Sequence, residues 1–562
     1  MSREKLTKQV ITAAGKHPYL LALVLCLFLD PFFFGSLGNI PNNALTLESF
    51  MVLGAAAFFG YRRYRAGAMD KVRLGIFLAA AAGADYFALK LYSQSEVKGL
   101  WYLAGGCVLL LILYYFADVK KFTRQMNSLL IIGLGFMMKL HYILVTSVYT
   151  RQHDVHEFGG ESGHAAYMEY LLFNHSLPDF DPRERWQFVH PPLHHAISAL
   201  WIHIHEDILQ AGHNQARESL QMLTLFYAMC IIISAYKILR HFGLEGKALY
   251  IPLMIVSFHP AFIMFSGSIN NDVLSVALSM GAVVSTLKWK EDPTLKNILK
   301  IALCVGLAMM TKVAAATVAP PIAMVFLVVF IKNFKEKGKA LFGQFCAFGA
   351  LCIPLGLWFG IRNLIKWKIP LTYVSEMSKD SLQYIGDKPF TERVTDFSAK
   401  QFASPFEQWA RQDDAGVITG YNEYNPLVTL LKNSLFGEYI NEGRFDRPYT
   451  VVFAYMLFWL NVAIVAAAVI LMIYWCIKKH DMKHFFIAAF HLSLMVTFYK
   501  SSADYPFTCT MNFRYITPTV ITGALFLGIA MAEDKRKIFS KAMTAAGSAF
   551  TLLTVLVFAA LR

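Results

Sequence analysis

Charge is what this 562-residue sequence has least of. Asp, Glu, Lys and Arg together make up only 16% of it, against 56% hydrophobic residues and a mean hydropathy of +0.44. Such a composition excludes an ordinary soluble domain. Cysteine is also scarce: eight residues without a C-x-x-C, with Cys26, Cys107, Cys230, Cys304, Cys346 and Cys352 inside apolar runs. That pattern argues against a disulfide framework or a thiolate zinc site. The H-E-x-x-H pattern of zinc proteases does not occur, and neither does an internal repeat, a low-complexity tract or a linker between soluble domains. The N-terminal stretch is basic, then apolar, without a small-residue cleavage site, and predicts a retained anchor.

What is present is a succession of apolar runs of roughly 18 to 25 residues, each long enough to cross a hydrocarbon core. Lipid leaves only helices and closed barrels as spanning structures, and these runs are too long for barrel strands. The expectation is an all-α polytopic membrane protein. The formal charge of +14 lies in short loops between runs, where it orients the chain beside anionic headgroups; it does not indicate nucleic acid. Runs at 18–38, 46–61, 74–93, 100–117, 128–149, 217–236, 248–267, 273–288, 298–331, 342–361, 450–477, 484–500, 512–531 and 539–560 predict about fifteen spans, because 298–331 must cross twice with a break near Thr317 to Pro321. Every basic loop, including Lys332 to Lys339, then falls on the cytoplasmic side. Two long loops, 150–216 and 362–448, share the opposite side and are expected to meet; the 192–205 stretch within the first suits a helix lying in the interface.

The first long loop is polar and rich in histidine, with nine of the seventeen histidines between Arg151 and His205. Ionisable groups gathered at a membrane protein's surface usually mark a site. Asp154 follows a span by a few residues and can accept a proton from a hydroxyl or help hold a divalent cation; a solvated helix-end charge is the bland alternative. His153, His156 and Glu157 are its neighbours, Gly159, Gly160 and Gly163 permit a tight fold, and His164, Tyr167 and Tyr170 follow at helical spacing. In the block Trp186 to His195 (WQFVHPPLHH), Pro191 and Pro192 can start a helix. His190, His194 and His195 suit a metal or a phosphate, whereas His194, His203 and His205 also suit membrane anchoring. Lys139 and Asp85 are intramembrane charges without an evident partner.

An acidic residue just past a span, followed by P-D-x-D-P, W-Q-F-x-H-P-P-L-H-H and A-L-W, resembles the bacterial GT-C superfamily of membrane glycosyltransferases. The closer likeness is to family 39-like members related to protein O-mannosyltransferases and the lipid A aminoarabinose transferase. SGSINNDVLS (266–275), GLAMMTK (306–312), WFGIRN (358–363), LLKNSLFGEY (430–439) and NFRYITP (512–518) extend it collinearly over 128–531. The resemblance implies a GT-C-like core of about 11 spans, preceded here by four extra N-terminal spans. It also implies a polyprenyl-phosphate sugar donor, an extracytoplasmic site in the bacterial cytoplasmic membrane, and inversion at the anomeric carbon. Carried over by position, Asp154 would be the general base, Asp272 a second acidic group, and Glu157 a further member of the acidic set. His164, Tyr167, His190, His194, Lys312, Arg362 and Arg514 would bind substrate; snorkelling to the interface is the alternative for Lys312 and Arg362. A divalent cation, if used, would have Asp154, His156 and Asp272 as ligands.

The chain thus divides into an N-terminal four-span segment (1–127), a catalytic membrane core (128–361), an outer loop region (362–449) and C-terminal spans (450–562). The acceptor is open: a glycan, a lipid or a protein. A transporter or flippase of lipid-linked sugars would show inverted repeats and a midplane site; a surface-glycan polymerase or ligase would share the donor. A membrane scaffold would leave the HPPLH block unexplained.

Overall fold

A computed structural model of the chain describes residues 15–34, 70–93 and 123–559, apart from 376, 408–410, 413–414, 416, 421–422 and 446–447, with scattered positions between 53 and 67 and residue 561. The expected span 100–117, most of 46–61, Cys107, Lys120, Lys121, Asp413, Asp414 and the side chain of Asp85 lie outside the described residues. The elements run α1 (Pro18–Phe34), α2 (Lys71–Ser93), α3 (Thr123–Val145), α4 (Gly163–Asn174), α5 (Leu193–His203), α6 (His213–Glu218), α7 (Leu220–His241), α8 (Lys247–Phe258), α9 (Pro260–Gly267), α10 (Asp272–Glu291), α11 (Leu295–Thr311) and α12 (Ala319–Trp367). Then follow α13 (Phe390–Thr395), the strands β1 (Arg411–Gln412) and β2 (Ile418–Gly420), α14 (Pro426–Phe436), α15 (Pro448–Lys479), α16 (Met482–Asp504), α17 (Pro518–Glu533) and α18 (Ile538–Ala559). The fold is helical, as expected; the antiparallel β1–β2 pair sits in the second long loop.

Among the described residues seven helices are long and apolar enough to cross a membrane, or eight if the bent pair α8–α9 is one span. That pair, bent by 45°, covers the stretch 248–267 where a single span is expected. Its cause is local: Pro260 has no N–H to continue the ladder, and the ring of His259 caps α9 by accepting from Ala261 N. The carbonyl of Ser257, deprived of its helical donor, accepts instead from Lys139 Nζ at 2.6 Å. So the intramembrane lysine has a structural partner. Gly135, one turn away on α3, makes the approach feasible, since a Cβ there would lie 2.9 Å from Ser257.

Helix α12 is helical throughout its 49 residues, yet it is not one rod. A straight helix would separate Phe326 from Phe345 by about 28 Å at 1.5 Å per residue, whereas their rings stack with centroids 5.3 Å apart. Phe330 meets Phe345 as well. The element therefore doubles back, with the basic 332–339 stretch at its turn, so a linker there is legible even though the helix is unbroken. The other expected break moves: a 3-10 turn, Val313–Val318, separates α11 from α12, and Lys312 ends α11 in extended backbone instead of lying within a span.

The two long loops meet, as expected. Arg362 at the end of α12 donates to Pro178 O, and Arg183 to Trp367 O. Further along, His153 of the first loop lies 3.3 Å from Glu438 of the second.

Candidate active site

The first loop is held by buried polar contacts. Glu218 accepts from Ser147 Oγ and Val148 N, and Arg217, 2% exposed, pairs with Glu169 and Glu206. Between these anchors the chain turns tightly, with Arg151, Asp154 and His156 all at positive φ. Asp tolerates that region better than most residues. Gly163, at φ +93°, closes the turn: its N donates to Trp186 O, and a Cβ there would sit 2.5 Å from Val155 O. Gln152 clamps this loop to the 268–271 turn, donating to Gly267 O at 2.7 Å and accepting from Ile269 N at 3.1 Å.

The clamp brings Asp154 and Asp272 to one place, and two cations join them. Arg514 Nη2 donates to Asp154 Oδ2 at 2.9 Å and to the Tyr515 hydroxyl at 2.9 Å. Arg514 Nε lies 3.6 Å from Asp272 Oδ2, and Lys312 Nζ lies 2.5 Å from Asp272 Oδ1. Trp186 Nε1 approaches Asp154 at 3.4 Å. The result is a row, Lys312–Asp272–Arg514–Asp154, with Lys312 and Arg514 both against the Tyr515 ring. Burial would raise the Asp154 carboxyl, but Arg514, His153 and Lys312 outweigh it and hold it at about 2. Among the described residues Arg514 Nε has no hydrogen-bond partner.

Not every expected site residue belongs to this row. His190 faces it: burial and Lys312 pull its ring down to about 4, opposed by Asp272 and Asp154. His164, His194 and Tyr167 lie behind, fully buried. His164 shares a 2.8 Å hydrogen bond with His195, His194 bonds Ile269 O, and Tyr167 stacks on Phe188 and His195. Their packing supports the loop and leaves no face for a substrate. Arg362 is engaged by Pro178, Asn363 and the Trp367 ring. Glu157 is exposed, and exposed His156 turns to Ser162 Oγ. Neither joins Asp154, because the left-handed turn at 154–156 carries them outward. The anchoring reading of His205 is also replaced: its Nε2 lies 2.5 Å from Asp30 of α1, both buried.

The expected divalent cation does not fit these residues. Among the described residues no group of three His, Cys, Asp or Glu side chains could hold a metal ion, and Asp154 and Asp272 are already paired with Arg514 and Lys312. Trp186, Tyr515 and Glu438 complete the site without having been singled out as its members; Tyr515 and Glu438 lie in the collinear pieces NFRYITP and LLKNSLFGEY.

Comparison with known proteins bears on this arrangement. No curated protein matches the sequence. Among solved structures, the chain is similar to the archaeal oligosaccharyltransferase AglB from Archaeoglobus fulgidus, determined with an inhibitory peptide and a dolichol-phosphate. The identity is 12% and the TM-score 0.40, over 76% of this chain and 54% of that one. The chain thus spans about half the length of that relative, and the likeness is too distant to carry a residue's role. Residues 189–358 match the family model of dolichyl-phosphate-mannose-protein mannosyltransferases. That segment runs from the HPPLHH block through Asp272 and Lys312 to the start of the WFGIRN stretch, and over it the chain is similar to that family.

Proposed function

We propose that the chain transfers a sugar from a polyprenyl-phosphate carrier to an acceptor hydroxyl, with inversion, at the extracytoplasmic face of a cell membrane. The observation that carries the reading is the alternating row Lys312–Asp272–Arg514–Asp154, which sets a proton acceptor beside two cations. Asp154 is the general base. The acceptor oxygen attacks the anomeric carbon as its proton passes to the Asp154 carboxylate, and the bond from that carbon to the phosphate oxygen breaks. The carrier phosphate leaves with the bonding pair, its charge met by Arg514 and Lys312, in the manner of preorganised donors aimed at developing charge. Arg514 Nε, buried without a hydrogen-bond partner among the described residues, supplies one such donor.

A carboxyl held at about 2 is a poor base while Arg514 grips it, because proton acceptors work best with a pKa nearer the operating pH. Movement of Arg514 toward the carrier phosphate loosens that grip and raises the basicity of Asp154 as the donor binds. Asp272 serves the cations: it holds Lys312 and steadies Arg514. No step needs a metal.

The 45° bend between α8 and α9 beside this site is the one feature that favours a transporter of lipid-linked sugars, since transporters place substrates at broken helices. The test is purified protein given radiolabelled polyprenyl-phosphate sugars and a membrane extract as acceptor pool, with carrier flipping followed in parallel in liposomes. Transfer supports the enzyme. Flipping without transfer overturns it.

A further inference from the structure

Beside Arg514 lies a pocket that Lys312 does not line and whose polar wall includes Arg151, His153, Asn433, Glu438 and Asn512, with Met264 among its apolar lining. Its volume is about 40 Å³, room for about three waters at roughly 10–15 Å³ each, and it is open on one side. That suits one hydroxylated edge of a pyranose ring.

The carboxylate of Glu438 is the centre of the wall. It is 4% exposed. Oε1 accepts from Asn512 Nδ2 at 2.5 Å, and Oε2 lies 3.3 Å from His153 Nδ1. A carboxylate has about four acceptor positions, so these contacts orient the group and leave positions for hydroxyl donors. Burial would raise its pKa, but His153 and Arg514 lower it, so the group is ionised at neutral pH. Gly437 at φ +59° turns the chain sharply after α14 and aims Glu438 inward. Tyr439 presents its ring to His153, with centroids 5.2 Å apart. Carboxylate, amides and an aromatic ring are the groups that read a sugar's hydroxyls and its C–H face, and the buried carboxylate repels a phosphate.

We infer that this pocket is the sugar subsite of the donor, with Glu438 as the residue that reads the hydroxyls of a hexose while Arg514 and Lys312 hold the phosphate. The inference rests on the proposed sugar transfer and deepens it: the donor lies with its phosphate toward Lys312 and its ring toward Glu438.

The test is direct binding in detergent of decaprenyl phosphate and of decaprenyl-phosphate mannose, glucose and galactose. Wild type is expected to bind at least one hexose-bearing carrier about tenfold more tightly than the bare one, the value of one charged hydrogen bond of roughly 1.5 kcal/mol. Glu438→Gln, and independently Met264→Trp, which fills the pocket from its apolar side, are expected to erase that preference while leaving the bare carrier's Kd within about twofold. Thermal unfolding identifies a variant that has failed to fold, and the other variant then decides. Retention of the preference in folded variants overturns the subsite, as does an equal loss for bare and hexose-bearing carriers. Equal binding of all four lipids by wild type overturns the subsite and leaves a lipid-phosphate site standing. Binding of none overturns the donor reading itself.

Discussion

Replacing Lys312 by Met tests whether the acid–base row is one coupled unit. Asp272 is 6% exposed, with Lys312 Nζ at 2.5 Å and Arg514 Nε at 3.6 Å. Since Coulomb attraction falls with distance, the lysine supplies somewhat more than half of the direct stabilisation of that carboxylate. Removing one partner of a buried ion pair costs about 3–5 kcal/mol, and the lower end applies because Arg514 remains. Arg514 is then drawn from Asp154 toward Asp272, so donor binding should weaken as well. Adding Asp272→Asn removes the stranded charge. The double variant should therefore recover about 2 kcal/mol relative to the sum of the single ones, within the range of measured couplings for contacting residues. The assay is a double-mutant cycle by chemical unfolding in mixed micelles, with binding of decaprenyl phosphate measured in parallel. Strictly additive costs would refute the coupling, and with it the account of how Asp272 sets the position of Arg514.

Other outcomes follow from the same geometry. Asp154 is held at about 2 against an ordinary value of 3.8. Its pairing with Arg514 therefore contributes stability that is fully present above pH 4 and is lost as pH falls toward 2; Arg514→Gln should move that loss to higher pH in thermal-unfolding profiles. Gly163→Ala, at φ +93° with a Cβ 2.5 Å from Val155 O, should cost at least about 1–2 kcal/mol from the backbone alone, and should lower transfer more than donor binding because it displaces Asp154. Phe326→Cys with Phe345→Cys should crosslink readily through a short bifunctional reagent, since the native rings stack at 5.3 Å; failure to crosslink would contradict the hairpin in α12.

The helical class, the meeting of the long loops and the choice of Asp154, Asp272, Lys312 and Arg514, which the structure brings together, are legible in the sequence because they follow from run lengths, charge placement and the collinear pieces of a resemblance. The hairpin of α12 is half legible: Lys332 to Lys339 mark a turn, but nothing in the charges says that the backbone stays helical through it. Lys139 looks orphaned because its partner is the Ser257 carbonyl, freed where Ala261 N turns to the His259 ring, and 118 positions separate the two. Histidines mislead in the opposite way. His164 and His194 share the composition of a ligand site, yet they pack against each other's neighbours, and residue type alone does not reveal which way a ring faces. Glu157 looks like a partner for Asp154 because it is close in sequence, whereas the positive φ at 154 and 156 separates them. Glu438 has the converse history, joining the site from the second long loop through contacts that no local pattern encodes.

The central claim is that Asp154 takes the acceptor's proton. The most direct measurement is sugar transfer by wild type and Asp154→Asn, with radiolabelled polyprenyl-phosphate sugars and a membrane extract as acceptor, alongside donor binding by the same preparations. The account predicts a folded variant that still binds donor and whose transfer falls by about 10²–10⁴, the usual contribution of a positioned base. Undiminished transfer by Asp154→Asn would contradict it.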